Sequence, residues 1–237
     1  MLRPPHRHRA FESFEPVARG LAHRLSAIFL VAAIVGVAVL LGASVSTLVP
    51  PDVLEEGGQV EAATIWFYLV ASATVLLAAP PAMNRLDKAA IALLLLACAA
   101  READLHVALF QVSILKSSFY LRHGTPGQIA VALCIVLPVL LSLLLLLRRH
   151  GALWLAAPSR WRAPVVTVMT FAVLMLVSKV FDRLPALMVE HRILEAVPPL
   201  TRNVLLALEE VLELALPLLA ILAVVQGRLQ ARLGPAG

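Results

Sequence analysis

Charge is what this sequence has least of. Asp, Glu, Lys and Arg make up 15% of its 237 residues, where soluble domains carry about 25%. With 60% hydrophobic residues and a mean hydropathy of +0.88, a water-soluble globule is excluded: too little polar surface exists to cover it. Cysteine is nearly absent. Cys98 and Cys134 both lie inside apolar runs and no CxxC occurs, which excludes a disulfide framework and reads them as reduced packing residues. The formal charge of +5 does not point to nucleic acid, because the cations flank apolar runs and build no separate basic domain. No GxSxG, HExxH or HxxxH motif is present, nor the ExxH spacing of di-iron bundles.

What remains is a series of long apolar runs. About 20 such residues cross a bilayer core, and six runs approach that length. Span one covers 25–49 and ends at Pro50-Pro51. It is too long for the roughly 7–15-residue core of a signal peptide and is read as retained. Span two covers 60–79, span three 89–110, span four 128–147 with Pro138 as a kink site, span five 164–181 and span six 201–225. Before them, residues 1–24 form a basic tail with an interfacial helix expected from Phe11. After them, 226–237 form a second tail. The 182–200 connection, with its LPALMVEHRILEAVPP stretch, reads as an amphipathic helix on the outer surface. Trp154 and Trp161 are expected at one interface, and Trp66 with Tyr68 in an aromatic belt at the other.

Orientation follows from the cations. With the N-terminus inside, cytoplasmic segments hold thirteen Lys and Arg and outer segments five. That is the positive-inside bias, and it suits an even number of spans. The expectation is an all-α integral membrane bundle of six transmembrane helices, N-in and C-in, in a bacterial inner membrane. His150 reads as an ordinary residue of the basic inner loop.

The informative residues are the ionisable ones inside or beside the spans: Glu61, Arg101, Glu102, Asp104, His106, Lys179, Asp182, Arg183, Glu209, Glu210 and Glu213. At a rise of about 1.5 Å per residue, Glu102, Lys179, Glu209 and Glu213 sit about 18–24 Å above the inner ends of their spans. Three helices therefore place charge at one level in the outer half of the membrane. Isolated charges there are costly, so they should face one another or a wet cavity. Glu102 and His106 share a helical face, as do Glu209 and Glu213, while Asp104 points away unless the helix unwinds. Seven acids stand against the three cations Arg101, Lys179 and Arg183. Such an excess calls for bound protons or a bound cation.

Four readings of this layer stay open. Glu102, His106, Glu209 and Glu213 have the chemistry to hold a divalent metal. The carboxylates match a proton or cation pathway. An outward-facing enzyme acting on a lipid-like substrate would draw on Glu61, Asp104 and His106, with Lys116, Ser117, Tyr120, Glu190 and His191 from the outer loops. The fourth is a satisfied salt-bridge network that sets helix register, as in an accessory subunit of a membrane complex. Expected partners are membrane lipids, with protein partners or further copies of the chain, and no nucleic acid.

Glu61 opening span two, Arg101-Glu102-x-Asp104 in span three, Lys116, and Glu209-Glu210-x-x-Glu213-Leu214 in the last span resemble an uncharacterised group of bacterial polytopic inner-membrane proteins. The acids and histidines near one leaflet are also similar to the superfamily of ceramidases and related receptors. The paired late-chain histidines required for that family's zinc chemistry are missing here. Together these features imply an outward-facing, acid-rich intramembrane pocket for a cation or a lipid-like ligand.

Overall fold

A computed structural model describes residues 9–44, 53–54, 57–114, 116–155 and 162–233, with side chains given from residue 25 to 232. The described residues are helices and their connections, with no strand among them. The helices are α1 (Arg9–Ser44), α2 (Gln59–Ala78), α3 (Arg85–Glu102), α4 (Leu105–Phe110), α5 (Pro126–Trp154), α6 (Ala163–Glu190) and α7 (Pro199–Leu233). A π-helical turn, Phe119–His123, precedes α5.

Four segments are long and apolar enough to cross a membrane: Leu25–Ser44 of α1, and helices α2, α5 and α6. Many of their leucines face outward. Leu77 is 86% exposed, Leu40 69% and Leu176 70%. Surfaces of that kind are natural against hydrocarbon and costly in water. The remaining two long helices, α3 and α7, carry Arg101, Glu102, Glu209, Glu210 and Glu213, and Lys179 joins them from α6.

α7 is the central element. It packs against α1, α2 and α6, and α3 joins through α2. Leu205, Ala207, Val211, Leu212, Ala215, Leu216, Leu219 and Val224 are all buried. That pattern runs round the helix, as it must for one enclosed by neighbours. Small residues allow the close approach. A Cβ added to Gly42 of α1 would lie 2.6 Å from the Val204 Cα and 2.9 Å from the Asn203 carbonyl of α7. Where lipid weakens the hydrophobic drive, such small-residue crossings hold helices together. α5 is peripheral, held mainly by α3 and only lightly by α6.

Two polar ties secure the ends expected inside. Thr167 Oγ1 donates to Gln226 Oε1 at 2.6 Å, and Gln226 Nε2 donates to Ser26 Oγ at 2.9 Å, joining α6, α7 and α1. Asp87 in the first turn of α3 accepts from Arg149 Nη1 at 2.7 Å and lies 3.2 Å from His150 Nε2. Asp87 is buried, so this tie carries the attachment of α5.

Several boundaries differ from the sequence reading. α1 starts at Arg9 and runs unbroken, with no separate interfacial helix. Arg148, Arg149 and His150 are helical, because α5 continues to Trp154. The 182–190 stretch extends α6 as one helix with Pro185 inside it, so no surface helix forms there. Proline tolerates this when neighbours satisfy the freed carbonyl. Likewise α7 passes Val225 and reaches Leu233. Tyr68 is 1% exposed and belongs to the core, whereas Trp66 is 69% exposed. Trp161 and residues 45–52 lie outside the described set.

Gly42→Ala should overpack the α1–α7 crossing and cost about 1–3 kcal/mol. Gly36→Ala, which meets nothing within 4 Å, should leave stability unchanged or slightly raised. Thermal unfolding of both variants in detergent distinguishes them. Asp87→Ala should lower the same midpoint by removing the anion from Arg149 and His150.

Candidate functional site

The charge layer is built at one backbone irregularity. α3 ends at Glu102, and Asp104 turns into the left-handed region at φ +44°. The Asp104 amide donates to the Arg101 carbonyl, and the Asp104 carbonyl accepts from Val107 and Ala108 as α4 begins. Asp104 is thus the hinge between two helices that the sequence reads as one span. The strain of a non-glycine residue there is of order 1 kcal/mol.

Below the hinge, Arg101 and Glu102 point towards α6 and α7. Glu213 Oε1 accepts from Lys179 Nζ at 2.7 Å and from Arg101 Nη2 at 3.2 Å. Arg101 Nη2 also pairs with Glu102 Oε1. Four charges from three helices make one chain: Lys179, Glu213, Arg101, Glu102. The carboxylates are the buried members, with side chains 7% and 9% exposed, while Arg101 and Lys179 keep 34% and 40%. Long cationic stems reach outwards while short acids cannot. Two anions face two cations, so the group is formally neutral. Tyr68 and Cys98 lie beside it.

The other acids do different things. Glu61 Oε2 accepts from the Gly57 amide at 2.7 Å, in the turn just before α2. Glu209 and Glu210 are half-buried. Glu210 lies in the field of Glu209, Glu213, Glu61 and Glu102. Asp182 and Arg183 are exposed, as are Lys116, Ser117, Glu190 and His191. The seven acids are therefore dispersed: Glu102 and Glu213 in the charge chain, Glu61 on the Gly57 amide, Glu209 and Glu210 half-buried, and Asp104 and Asp182 exposed.

Unwinding at Asp104 also removes His106 from the Glu102 face. Its Nδ1 is 4.0 Å from Asp104 Oδ1, beyond hydrogen-bond reach. Among the described residues no three His, Cys, Asp or Glu side chains gather to hold a metal ion. Glu102, His106, Glu209 and Glu213 therefore do not form the ligand set that regular helical spacing suggests.

A cleft opens between the C-terminal part of α6 and the N-terminal part of α7. Its volume is about 180 Å³, and its lining is Phe181, Asp182, Pro185, Arg202, Leu206 and Glu209. One guanidinium and two carboxylates stand there with three apolar side chains. Arg202, counted as a loop cation from sequence, is the member that spacing alone does not single out. The inner ties were missed too. Their signal was faint: Asp87 is the one acid of a basic loop, and Arg149-His150 ends the facing span.

No family model, no curated protein and no solved structure matches this chain. What the cluster does is therefore read from its own geometry.

Removing one member of the buried chain should strand its partner. Lys179→Met is expected to cost about 1–3 kcal/mol. Lys179→Met with Glu213→Gln should cost less than the two single changes added. A double-mutant cycle on detergent unfolding measures this coupling. Additive losses would mean that the two groups do not interact.

Proposed function

We propose that this chain is a six-span inner-membrane protein that holds the polar head of a lipid-like ligand in the outward cleft between α6 and α7. Pairing within the charge chain lets α3 and α7 cross the bilayer beside the four apolar candidate spans, because neutralised charges cost far less in hydrocarbon. The cation asymmetry of the loops supports both termini in the cytoplasm.

The observation that carries the ligand reading is the cleft lining. Arg202 suits a phosphate or carboxylate, Asp182 and Glu209 suit an amine, and Phe181, Pro185 and Leu206 suit the start of an acyl chain. The four-charge chain lies deeper and stiffens this wall by holding α6 to α7. It is closed and balanced, with Arg101 and Lys179 both engaged, which favours a structural role for the chain itself. This closure also supports the second reading, an accessory subunit of a larger membrane complex. Transport has less support, since no polar side chain lies on α7 between Glu213 and Gln226.

Purified protein should carry a polar lipid that mass spectrometry detects in the extract. Arg202→Ala should deplete it at least about tenfold, as loss of a charge-assisted contact of about 1.5–3 kcal/mol requires. Equal retention by the variant, or no bound lipid at all, would remove the cleft as a binding site. The six-span reading is tested separately. Single cysteines placed at residues 58, 84, 117, 158, 195 and 230 should react with an impermeant reagent only at 58, 117 and 195 in intact cells.

A further inference from the structure

The segment between α3 and α5 is more than a connection. Phe110, Ile114, Phe119 and Ala132 form a small core of their own, separate from the main one. Phe110 meets Phe119 edge to face at 5.5 Å, and Phe119 meets Tyr120 the same way at 5.2 Å. The segment is clamped to α5 at its far end. Thr125 caps that helix reciprocally with Gln128, Pro126 occupies its first turn, and the Gly124 amide donates to the Phe119 carbonyl at 2.8 Å. Gly124 is required by crowding, since a Cβ there would lie 2.8 Å from Ile129 and 3.1 Å from the Phe119 carbonyl.

The outer surface of this small unit is both apolar and basic. Leu105 is 48% exposed, Leu109 68% and Leu121 81%. Lys116, Arg122 and His123 are exposed among them. Neither Lys116 nor Arg122 has an ion-pair partner among the described residues. The sequence offers none nearby, because no Asp or Glu occurs between Asp104 and Asp182. A basic patch with exposed leucines, whose one acid, Asp104, stands at its start, complements a negatively charged surface with apolar material beneath it.

We infer that residues 104–125 form an interfacial cap that docks on the head groups of anionic phospholipids in the adjoining leaflet. Leu105, Leu109 and Leu121 enter the acyl boundary, and Lys116 and Arg122 take the phosphates. This does not depend on the cleft or on which side of the membrane the cap faces. Each cation near an anionic surface contributes about 1 kcal/mol, so the pair favours anionic over zwitterionic lipid about thirtyfold locally.

The test uses the full chain with Cys98→Ala, Cys134→Ala and Leu121→Cys, carrying a bimane at residue 121. It is reconstituted in phosphatidylcholine vesicles containing trace doxyl-labelled phosphatidylglycerol or doxyl-labelled phosphatidylcholine. Quenching should favour the phosphatidylglycerol probe by an order of magnitude at low salt and converge at high salt. Lys116→Gln with Arg122→Gln should abolish the preference without changing the thermal midpoint in detergent, and Lys116→Arg should keep it. Equal quenching by both probes at low salt would overturn the anionic preference. Absence of quenching by either would overturn docking. Failure of Arg202→Ala to release bound lipid would leave this result untouched.

Discussion

A carboxylate inside an apolar bundle must be answered by cations, and Glu213 organises this protein through that requirement. It sits on the most enclosed helix, and its side chain is buried. Its oxygen takes Lys179 from α6 and Arg101 from α3, and through Arg101 it reaches Glu102. Helices distant in sequence are thereby held at one height. A slip of one residue on any of them would turn an ionic side chain towards apolar neighbours. Such a network adds little net stability over a well-packed apolar core, yet breaking it is expensive. Its value lies in register.

Around that point the bundle is graded. The core near Leu212, Leu216 and Leu219 is packed with aliphatics. The inner ends are tied by neutral or partly exposed polar groups, Gln226 with Thr167 and Ser26, and Asp87 with Arg149. The opposite ends hold the cleft between α6 and α7 and the aromatic cap before α5. Ligand exchange and lipid contact suit such a surface, because few backbone contacts need to yield. The break at Asp104 serves the same division. It ends the buried helix just after its charged pair and hands the chain to a unit with a core of its own.

How far the site could be read from the sequence depends on the residue. That Glu102, Lys179 and Glu213 lie at one level followed from equal rise along three spans, which permits their pairing but does not choose the partners. His106 shows the limit. Its pairing with Glu102 assumed an unbroken helix, and nothing in Ala103-Asp104-Leu105 announces a left-handed residue. Asp87 and His150 were passed over because both stand in segments that look like loops, and only the lengthening of α5 brings them together. Arg202 gains meaning only opposite Asp182, a residue of another helix.

Composition and the spacing of apolar runs were enough to determine that the chain is helical, with several helices long and apolar enough to cross a membrane, since hydrocarbon demands internally bonded backbone and long apolar faces. They also settled which residues would be expensive to leave alone. Which acids pair and which merely cap or face solvent was decided by tertiary structure. So was the loss of the presumed metal ligands, and so was the placing of α7 at the centre. The reason is physical: depth is a property of one helix and can be counted, whereas azimuth depends on how helices turn against one another, and one left-handed residue is enough to change it.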